Sequence, residues 1–382
     1  MHLALCLLNY SPAGGRERNF LGVARACRDR GHTVEVLTSR WEGERPDGIA
    51  VREIACRGFS NHARAARFAA QSLALLQRER VDLVVGFERM PGLDLYYAAD
   101  VCYVARIRRH RPFWARLTQR YRTYADLERA VFAPESTTEI LILSEKEKHI
   151  YQSIYHTPEP RFHLVPAGVD KKRIRSAVTP ANRTGIRAQL GCAAHDTLLL
   201  MIGSHFSTKG VDRAIRAVAA LPGGLSAAAH LVIIGRGNQA PYRRLAHKLG
   251  IAERVRFMGV REDVPLFLAG ADLLLQPSRT ENTGNAIVEA LVAGIPVLAT
   301  DICGYAVHVE RSGAGKTISG DPFRQKEMNT VLRDMVAVPC RNQWRQKALA
   351  YTDAVDLYSR LPAIVDLIER RATAQKARIA GP

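Results

Sequence analysis

Short, continuous runs of Val, Ile and Leu recur in two series with helix-length stretches between them, and nothing else in the chain restricts its fold as strongly. The first series lies at 3–8, 33–37, 83–87 and 140–143; the second begins after Pro166, at 198–202, 231–234, 254–257, 273–275 and 296–298. A strand that is apolar at every position must be buried on both faces, which happens when helices cover a parallel sheet from both sides. Two such series predict two doubly wound α/β domains. A length of 382 residues accommodates both, at roughly 100–200 residues per domain. The turn residues Pro166-Ala167-Gly168 follow an expected strand at 162–165 and mark the boundary. The expected organisation is an N-terminal domain over 1–166, a second over 167–350, and a C-terminal helical segment over 351–382, kinked or split at Pro362 and long enough to pack back on the N-terminal domain. Open α/β sheets bind ligands at the carboxyl ends of their strands, so the two domains are expected to face a central cleft holding the active site.

Composition removes several classes. A hydrophobic content of 47% with 24% charged residues excludes a disordered or collagen-like chain. No apolar run reaches the roughly 18 residues of a spanning helix, because Glu289 interrupts the best candidate at 286–299. The run at 3–8 is too short for a signal peptide and has no Lys or Arg before it, so a cytoplasmic location is expected. The 7 cysteines are scattered, odd in number and never spaced C-x-x-C, and read as reduced core residues. The charge of 55 − 37 = +18 favours an anionic partner: nucleic acid, anionic lipid or a phosphorylated substrate.

Three strand ends carry candidate chemistry. After the first strand, Pro12-Ala13-Gly14-Gly15 leads into a helical pattern starting near Arg16. Glycines there let backbone N–H groups approach a phosphate at a helix N-terminus, although a plain strand-to-helix turn uses the same residues. The strand at 198–202 runs into Gly203-Ser204-His205-Phe206-Ser207-Thr208-Lys209-Gly210 and a helix over 211–220, which puts Lys209 near the mouth of a helix; a solvated loop lysine is the alternative. The strand at 273–276 is followed by Pro277-Ser278-Arg279-Thr280-Glu281-Asn282-Thr283-Gly284-Asn285 and a helix capped by Asn282 or Thr283, with Glu281 just outside it and Glu289 within it. Carboxylates accept hydrogen bonds from sugar and ribose hydroxyls, so a pair bracketing a helix N-terminus suits an anion flanked by hydroxyl groups.

Glu281-x7-Glu289, followed by Ala290-Leu291-Val292-Ala293-Gly294-Ile295-Pro296-Val297, resembles the E-x7-E signature of glycosyltransferase family 4, the retaining enzymes of GT-B fold. With Gly14-Gly15, Pro166-x-Gly168 and Lys209-Gly210, the resemblance covers nearly the whole chain. Trp41-Glu42-Gly43, Met90-Pro91-Gly92-Leu93-Asp94, Ala98-Ala99-Asp100-Val101-Cys102-Tyr103 and Cys303-Gly304-Tyr305 narrow it to the lipopolysaccharide-core glucosyltransferases. The resemblance implies two Rossmann-like domains, a nucleoside-diphosphate-sugar donor (UDP-glucose) and a lipid-linked heptose acceptor. By the same resemblance Asp100 orients acceptor or sugar near the reacting carbon, and Glu281 contacts the donor sugar with Gly284 and Asn285 beside it. Glu289 meets the ribose hydroxyls, Gly14, Gly15, Arg173, Gly203 and Lys209 surround the diphosphate, and Arg261 lies near the base. Two residues depart from the family pattern: Thr208 stands where an Arg usually precedes the lysine, and Asn19 stands where close relatives have Asp. Threonine cannot replace the bidentate phosphate ligand that a guanidinium provides, so a weakened or altered donor site is expected. No metal cofactor is expected: the sequence has no Asp-x-Asp, the pair with which metal-dependent sugar transferases hold a divalent cation.

Between Tyr103 and Arg122 stand Arg106, Arg108, Arg109, Arg111, Arg116, Arg120 and Arg122, with Phe113, Trp114, Leu117 and Tyr121 among them and no Asp or Glu. A helix there would be basic on one side with aromatics at its interface, the pattern of a segment lying on an anionic membrane surface. A solvated loop is the bland reading and nucleic-acid binding the rival; no nucleic-acid partner is expected. Gly313-Ala314-Gly315-Lys316-Thr317 imitates a phosphate-binding loop, but Glu310 stands where the first glycine is needed, so a loop entering a short strand is expected. A sugar-nucleotide epimerase on the same fold and a basic nucleic-acid binder remain the competing functions at this level.

Overall fold

The computed structural model describes residues 1–12, 15–56, 58–337 and 341–380. The chain divides into two units, Met1–Pro166 with Ser359–Pro382, and Ala167–Tyr358.

Among the described residues, the first unit holds a seven-stranded sheet of β1 (His2–Cys6), β2 (Thr33–Thr38), β3 (Ala50–Glu53), β4 (Leu83–Gly86), β5 (Leu95–Ala98), β6 (Glu139–Ile142) and β7 (Phe162–Leu164). Its order is β3-β2-β1-β4-β5-β6-β7, and every pairing is parallel. Alternation along β1 shows why its sequence is apolar throughout. Leu3 and Leu5 pack with Phe20, Val23, Ile364 and Ile368 on one face, while Ala4 and Cys6 pack with Phe68, Phe132 and Tyr151 on the other. Each such buried Leu or Phe contributes about 1.5–3 kcal/mol relative to an exposed one. Two strands escaped the sequence pattern. Residues 50–53 form a mostly exposed, polar edge strand, and 95–98 is a four-residue strand whose two tyrosines are fully buried.

In the second unit the strands are β8 (Thr197–Ile202), β9 (Ala229–Ile234), β10 (Val255–Gly259), β11 (Leu273–Gln276), β12 (Val297–Thr300) and β13 (Gly315–Ile318), again all parallel, in the order β10-β9-β8-β11-β12-β13. Leu198, Leu200 and Leu274 face one core layer; Leu199, Met201, Leu273 and Leu275 face the other. Gly313, at φ +60°, ends the helix Ala306–Ser312 and passes straight into β13. Residues 313–317 therefore run helix to strand, the reverse of a phosphate-binding loop.

The C-terminal break falls earlier than Pro362. A helix over Arg341–Ala354 stops, residues 355–358 stay with the second unit through Leu357 and the Val169 N–H to Leu357 O bond (3.0 Å), and a new helix spans Arg360–Ala380. Pro362 lies in the first turn of that helix, where the N–H it lacks has no intrahelical partner anyway. The helix packs on Gly15–Asp29 within the first unit, with Arg30 paired to Asp366 (2.5 Å) and Glu369 (2.9 Å), and Arg371 to Glu139 (2.9 Å). The described cysteines are buried and free of disulfides; burial pushes the thiols of Cys6, Cys27 and Cys303 up to about 12, so they stay neutral. Cys340 lies outside the described residues.

Candidate active site

In each sheet the strand order reverses beside the first strand, between β1 and β4 and between β8 and β11. Such reversals open a crevice at the carboxyl ends of the strands. The segments that leave these four strands, together with those after β5 and β10, carry the charged groups of interest.

At the second sheet, β8 leads through Gly203 (φ +148°), His205 (φ +62°) and a single turn, Phe206–Lys209, to Gly210 (φ +73°) and the helix Val211–Ala219. Glycine is favoured at 203 by its positive φ, and required at 210 because a Cβ there would lie 2.1 Å from the Pro277 carbonyl oxygen. The loop after β11 is fastened to this one from below. The buried Arg213 donates to the carbonyls of Pro277 and Ser278 (both 3.2 Å), Arg279 grips both Asp212 oxygens (2.8 and 2.7 Å), and the Arg279 N–H meets Thr208 O (2.8 Å). This fastening puts Lys209 Nζ in hydrogen-bond contact with Glu281 Oε2, the side chains being 21% and 13% exposed.

The helix after Glu281 spans Asn285–Val292 and its N-cap is Gly284 (φ +88°), not Asn282 or Thr283. The expected caps fail for separate reasons: Asn282 is buried, and the Thr283 carbonyl accepts the Tyr305 N–H (2.8 Å) two residues short of the helix. A glycine cap brings no side chain, so the first-turn N–H groups and the positive end of the dipole are left to solvent or to a bound anion. Asn285 is exposed at the first helical position, and Glu289, one turn on, is half-buried.

Arg173 and Arg261 form a separate group. Asp170 caps the helix Lys171–Ala177, and the exposed Arg173 donates to Glu262 O, while Arg261 is held by Asp263 (2.8 and 2.6 Å). This group lies beyond the carboxyl end of β10, two strands away from β8 in the sheet.

At the first sheet, Gly15 opens the helix Gly15–Asp29 and is exposed; a Cβ there would meet nothing within 4 Å, so the fold itself does not demand glycine. Gly14 lies outside the described residues. Asp100 follows β5 with its side chain 59% exposed, and Arg16 Nη1 stands 3.5 Å from it and 3.1 Å from Glu88 Oε1. The backbone next to Asp100 is clamped. Tyr151 Oη donates to Asp100 O (3.1 Å), Arg89 to Val101 O (2.9 Å), and the Cys102 N–H to Glu147 (3.0 Å). The N–H groups of Tyr103 and Val104 bond to the fully buried Glu128 (2.8 and 3.0 Å), which also receives the Tyr155 hydroxyl (2.8 Å). Burial pushes the Glu147 carboxyl above the usual range. Sequence reading missed Arg16, Glu88, Glu128 and Glu147. For Glu88 a signal existed, two residues beyond the end of a buried strand; for Glu128 and Glu147, within ordinary helical patterns, none did.

The Arg-rich stretch is not the single helix expected. A helix over Tyr103–His110, a 3-10 turn over Phe113–Leu117 and a helix over Gln119–Phe132 follow one another, broken at Pro112, and Tyr103 is buried. Arg106, Arg108, Arg109, Arg111, Arg116, Arg120 and Arg122 are all exposed, as are Phe113, Trp114 and Leu117. Among the described residues no helix is long and apolar enough to cross a membrane, and no cluster of His, Cys, Asp or Glu could hold a metal ion.

Two parallel sheets, each with charged loops at the carboxyl ends of its strands, are the architecture of the GT-B class, and comparison with known proteins places the chain among the glycosyltransferases of that fold. The family described as "Glycosyl transferases group 1" matches residues 182–348, and "Glycosyltransferase Family 4" matches 13–173. The chain is 39% identical to the lipopolysaccharide glucosyltransferase WaaG of Escherichia coli (strain K12) over 369 residues, 96% of this chain and 98% of that one. The crystal structure of WaaG superposes with a TM-score of 0.89 over 96% of this chain and 99% of its own. Anabaena HepE in complex with UDP and glucose, at 19% identity, shares the fold with a TM-score of 0.73 over 97% of this chain and 100% of its own. The chain belongs to glycosyltransferase family 4 and, within it, to the family of the WaaG-like lipopolysaccharide glucosyltransferases.

Proposed function

We propose that this enzyme moves glucose from UDP-glucose to a heptose of the lipopolysaccharide inner core, with retention of configuration and without a metal ion, on the inner face of the cytoplasmic membrane. The observation that carries the reading is the Lys209–Glu281 pair beside an uncapped helix N-terminus, in a chain 39% identical to a lipopolysaccharide glucosyltransferase over nearly its whole length. Lys209 exchanges the Glu281 carboxylate for the diphosphate, which frees Glu281 to accept hydrogen bonds from the sugar. As the bond from sugar to phosphate breaks, the charge growing on the diphosphate is met by Lys209 and by the N–H groups at Gly284 and Asn285. Glu289 receives the ribose hydroxyls, Arg173 and Gly203 serve the diphosphate, Arg261 the base, and Gly15 the close approach of a phosphate. Asp100 orients the acceptor.

Arg106, Arg108, Arg109, Arg111, Arg116, Arg120 and Arg122 hold the protein on anionic lipid, at about 1 kcal/mol per arginine near the surface, while Phe113, Trp114 and Leu117 enter the headgroup region. Vesicles rich in anionic lipid should retain the protein at low salt and release it at high salt; failure to bind at low salt defeats this part.

A thermal-shift panel of UDP-, ADP- and GDP-sugars in EDTA tests the donor, since a ligand that binds only the folded state raises Tm. UDP-glucose should give a selective rise, and heptose-terminated lipopolysaccharide should then gain a hexose. Conversion of the nucleotide sugar without acceptor would instead identify an epimerase. Absence of transfer from any UDP-sugar to that acceptor would overturn the reading.

A further inference from the structure

We propose that Arg16 and Glu88 are positioning residues for Asp100, the Arg16 guanidinium bridging an inner carboxylate to the outer one that orients the acceptor. The inference rests on the role given to Asp100 above. Arg16 comes from the first turn of the helix Gly15–Asp29 that follows β1, Glu88 from the loop after β4 and Asp100 from the loop after β5; β1 and β4 flank the point where the order of the first sheet reverses, and β5 lies next to β4. Glu88 is 23% exposed and Asp100 59%, so one carboxylate is set into the protein and the other projects toward solvent, with one Arg16 nitrogen within 3.1 and 3.5 Å of them. An exposed carboxylate on its own samples several rotamers; a guanidinium that is anchored behind it removes that freedom before substrate arrives.

The charged and titratable groups facing Glu88 are Arg16 and Glu17 on the first helix, Arg89 beside it, Asp100 and Tyr96 from β5 and its loop, and Tyr124 from Gln119–Phe132. Burial raises the Glu88 carboxyl above its ordinary range and Asp100 adds to the rise, while Arg16 opposes it. Acidification therefore neutralises the anchor, and the grip on Asp100 loosens with it.

Steady-state kinetics over a pH range, with UDP binding measured by calorimetry, tests the arrangement in the full-length enzyme. Glu88→Gln and Arg16→Gln should each lower kcat by about 10- to 100-fold with UDP affinity unchanged. Glu88→Gln should also move the acid limb of the kcat profile, and added to Asp100→Asn it should cost little more, because the residues act as a unit. Arg16→Lys should retain part of the rate, since an ammonium keeps the positive charge between the two carboxylates but lacks the rigid planar guanidinium that fixes its position. Unchanged kcat in Glu88→Gln and Arg16→Gln, with activity lost in Asp100→Asn, would overturn this inference alone. Full activity in Asp100→Asn would overturn the Asp100 reading as well. A lower Tm with an unmoved pH profile would make the pair merely structural and also refute the proposal. Should Glu88→Gln fail to fold, Glu88→Asp and Arg16→Lys carry the same kinetic test.

Discussion

The loop after β5, which carries Asp100, and the loop after β11, which carries Glu281, are held by buried groups of opposite charge. Beside Asp100, buried Glu128 and Glu147 accept the N–H groups of residues 102–104, taking the place that an external anion would fill at the following helix, while Tyr151 and Arg89 hold the carbonyls of Asp100 and Val101. Beside Glu281 the loop is gripped by its carbonyls: buried Arg213, its guanidinium pushed down to about 10 by desolvation, donates to Pro277 and Ser278. Past Glu281 the next helix begins at a glycine with no side chain to cap it. The same α/β topology thus yields a helix after Asp100 whose N-terminus is closed by carboxylates, and a helix after Glu281 whose N-terminus has no side-chain cap.

The largest expected effect that would break this contrast is on stability. Glu128→Ala leaves the Tyr103 and Val104 N–H groups, the Tyr155 hydroxyl and Arg89 without their shared acceptor, and should cost about 3–5 kcal/mol in urea unfolding. A loss near zero would mean that the clamp beside Asp100 is not what holds that loop. Next, Lys209→Ala removes the cation opposite Glu281 and should lower kcat/KM for UDP-glucose about 10²- to 10³-fold. Retained activity would shift the anion site away from β8.

Thr208→Arg is expected to act in the other direction. A guanidinium added beside Lys209 should tighten UDP-glucose binding about tenfold by calorimetry, the worth of one charge-assisted hydrogen bond. No gain would show that Arg279, which bonds to Thr208 through its backbone, already excludes a further cation there.

The smallest effect is a slope. Because the folded pKa of Glu88 is raised, the native state binds more protons than the unfolded chain between the ordinary glutamate value and the raised one, and stability falls as pH rises through that window. Denaturation of Glu88→Gln over the same range should be flatter by that contribution; identical slopes would remove Glu88 from the titrating groups of the first reversal.

Much of the site was legible because its residues are local to strand ends. Gly203-to-Gly210 and Glu281-to-Gly284 each follow a buried strand and precede a helix, so their spacing carries the geometry of a strand-to-helix turn. The cap at Gly284 was not legible: Asn282 and Thr283 are the better capping types, but one is buried and the other has its carbonyl taken by Tyr305. The strand at 95–98 has two tyrosines and no Val or Ile, so it does not stand out beside the Asp100 motif, and 50–53 is polar because its outer edge meets water. Pro112 divides a stretch whose charges alone read as one surface helix.

What the amino-acid order determined by itself is the architecture, since runs of apolar residues buried on both faces permit little other than helix-covered parallel sheets, and the positions where glycine must bend the chain follow from the same pattern. Only the tertiary structure decided which charges meet. Lys209 and Glu281 are 72 residues apart, and Arg16, Glu88 and Asp100 come from one helix and two different loops. Parallel crossovers bring such groups together through the register of strands whose pairing energy lies in their buried side chains, so the partners of each charge are set by apolar packing that the charges themselves do not record.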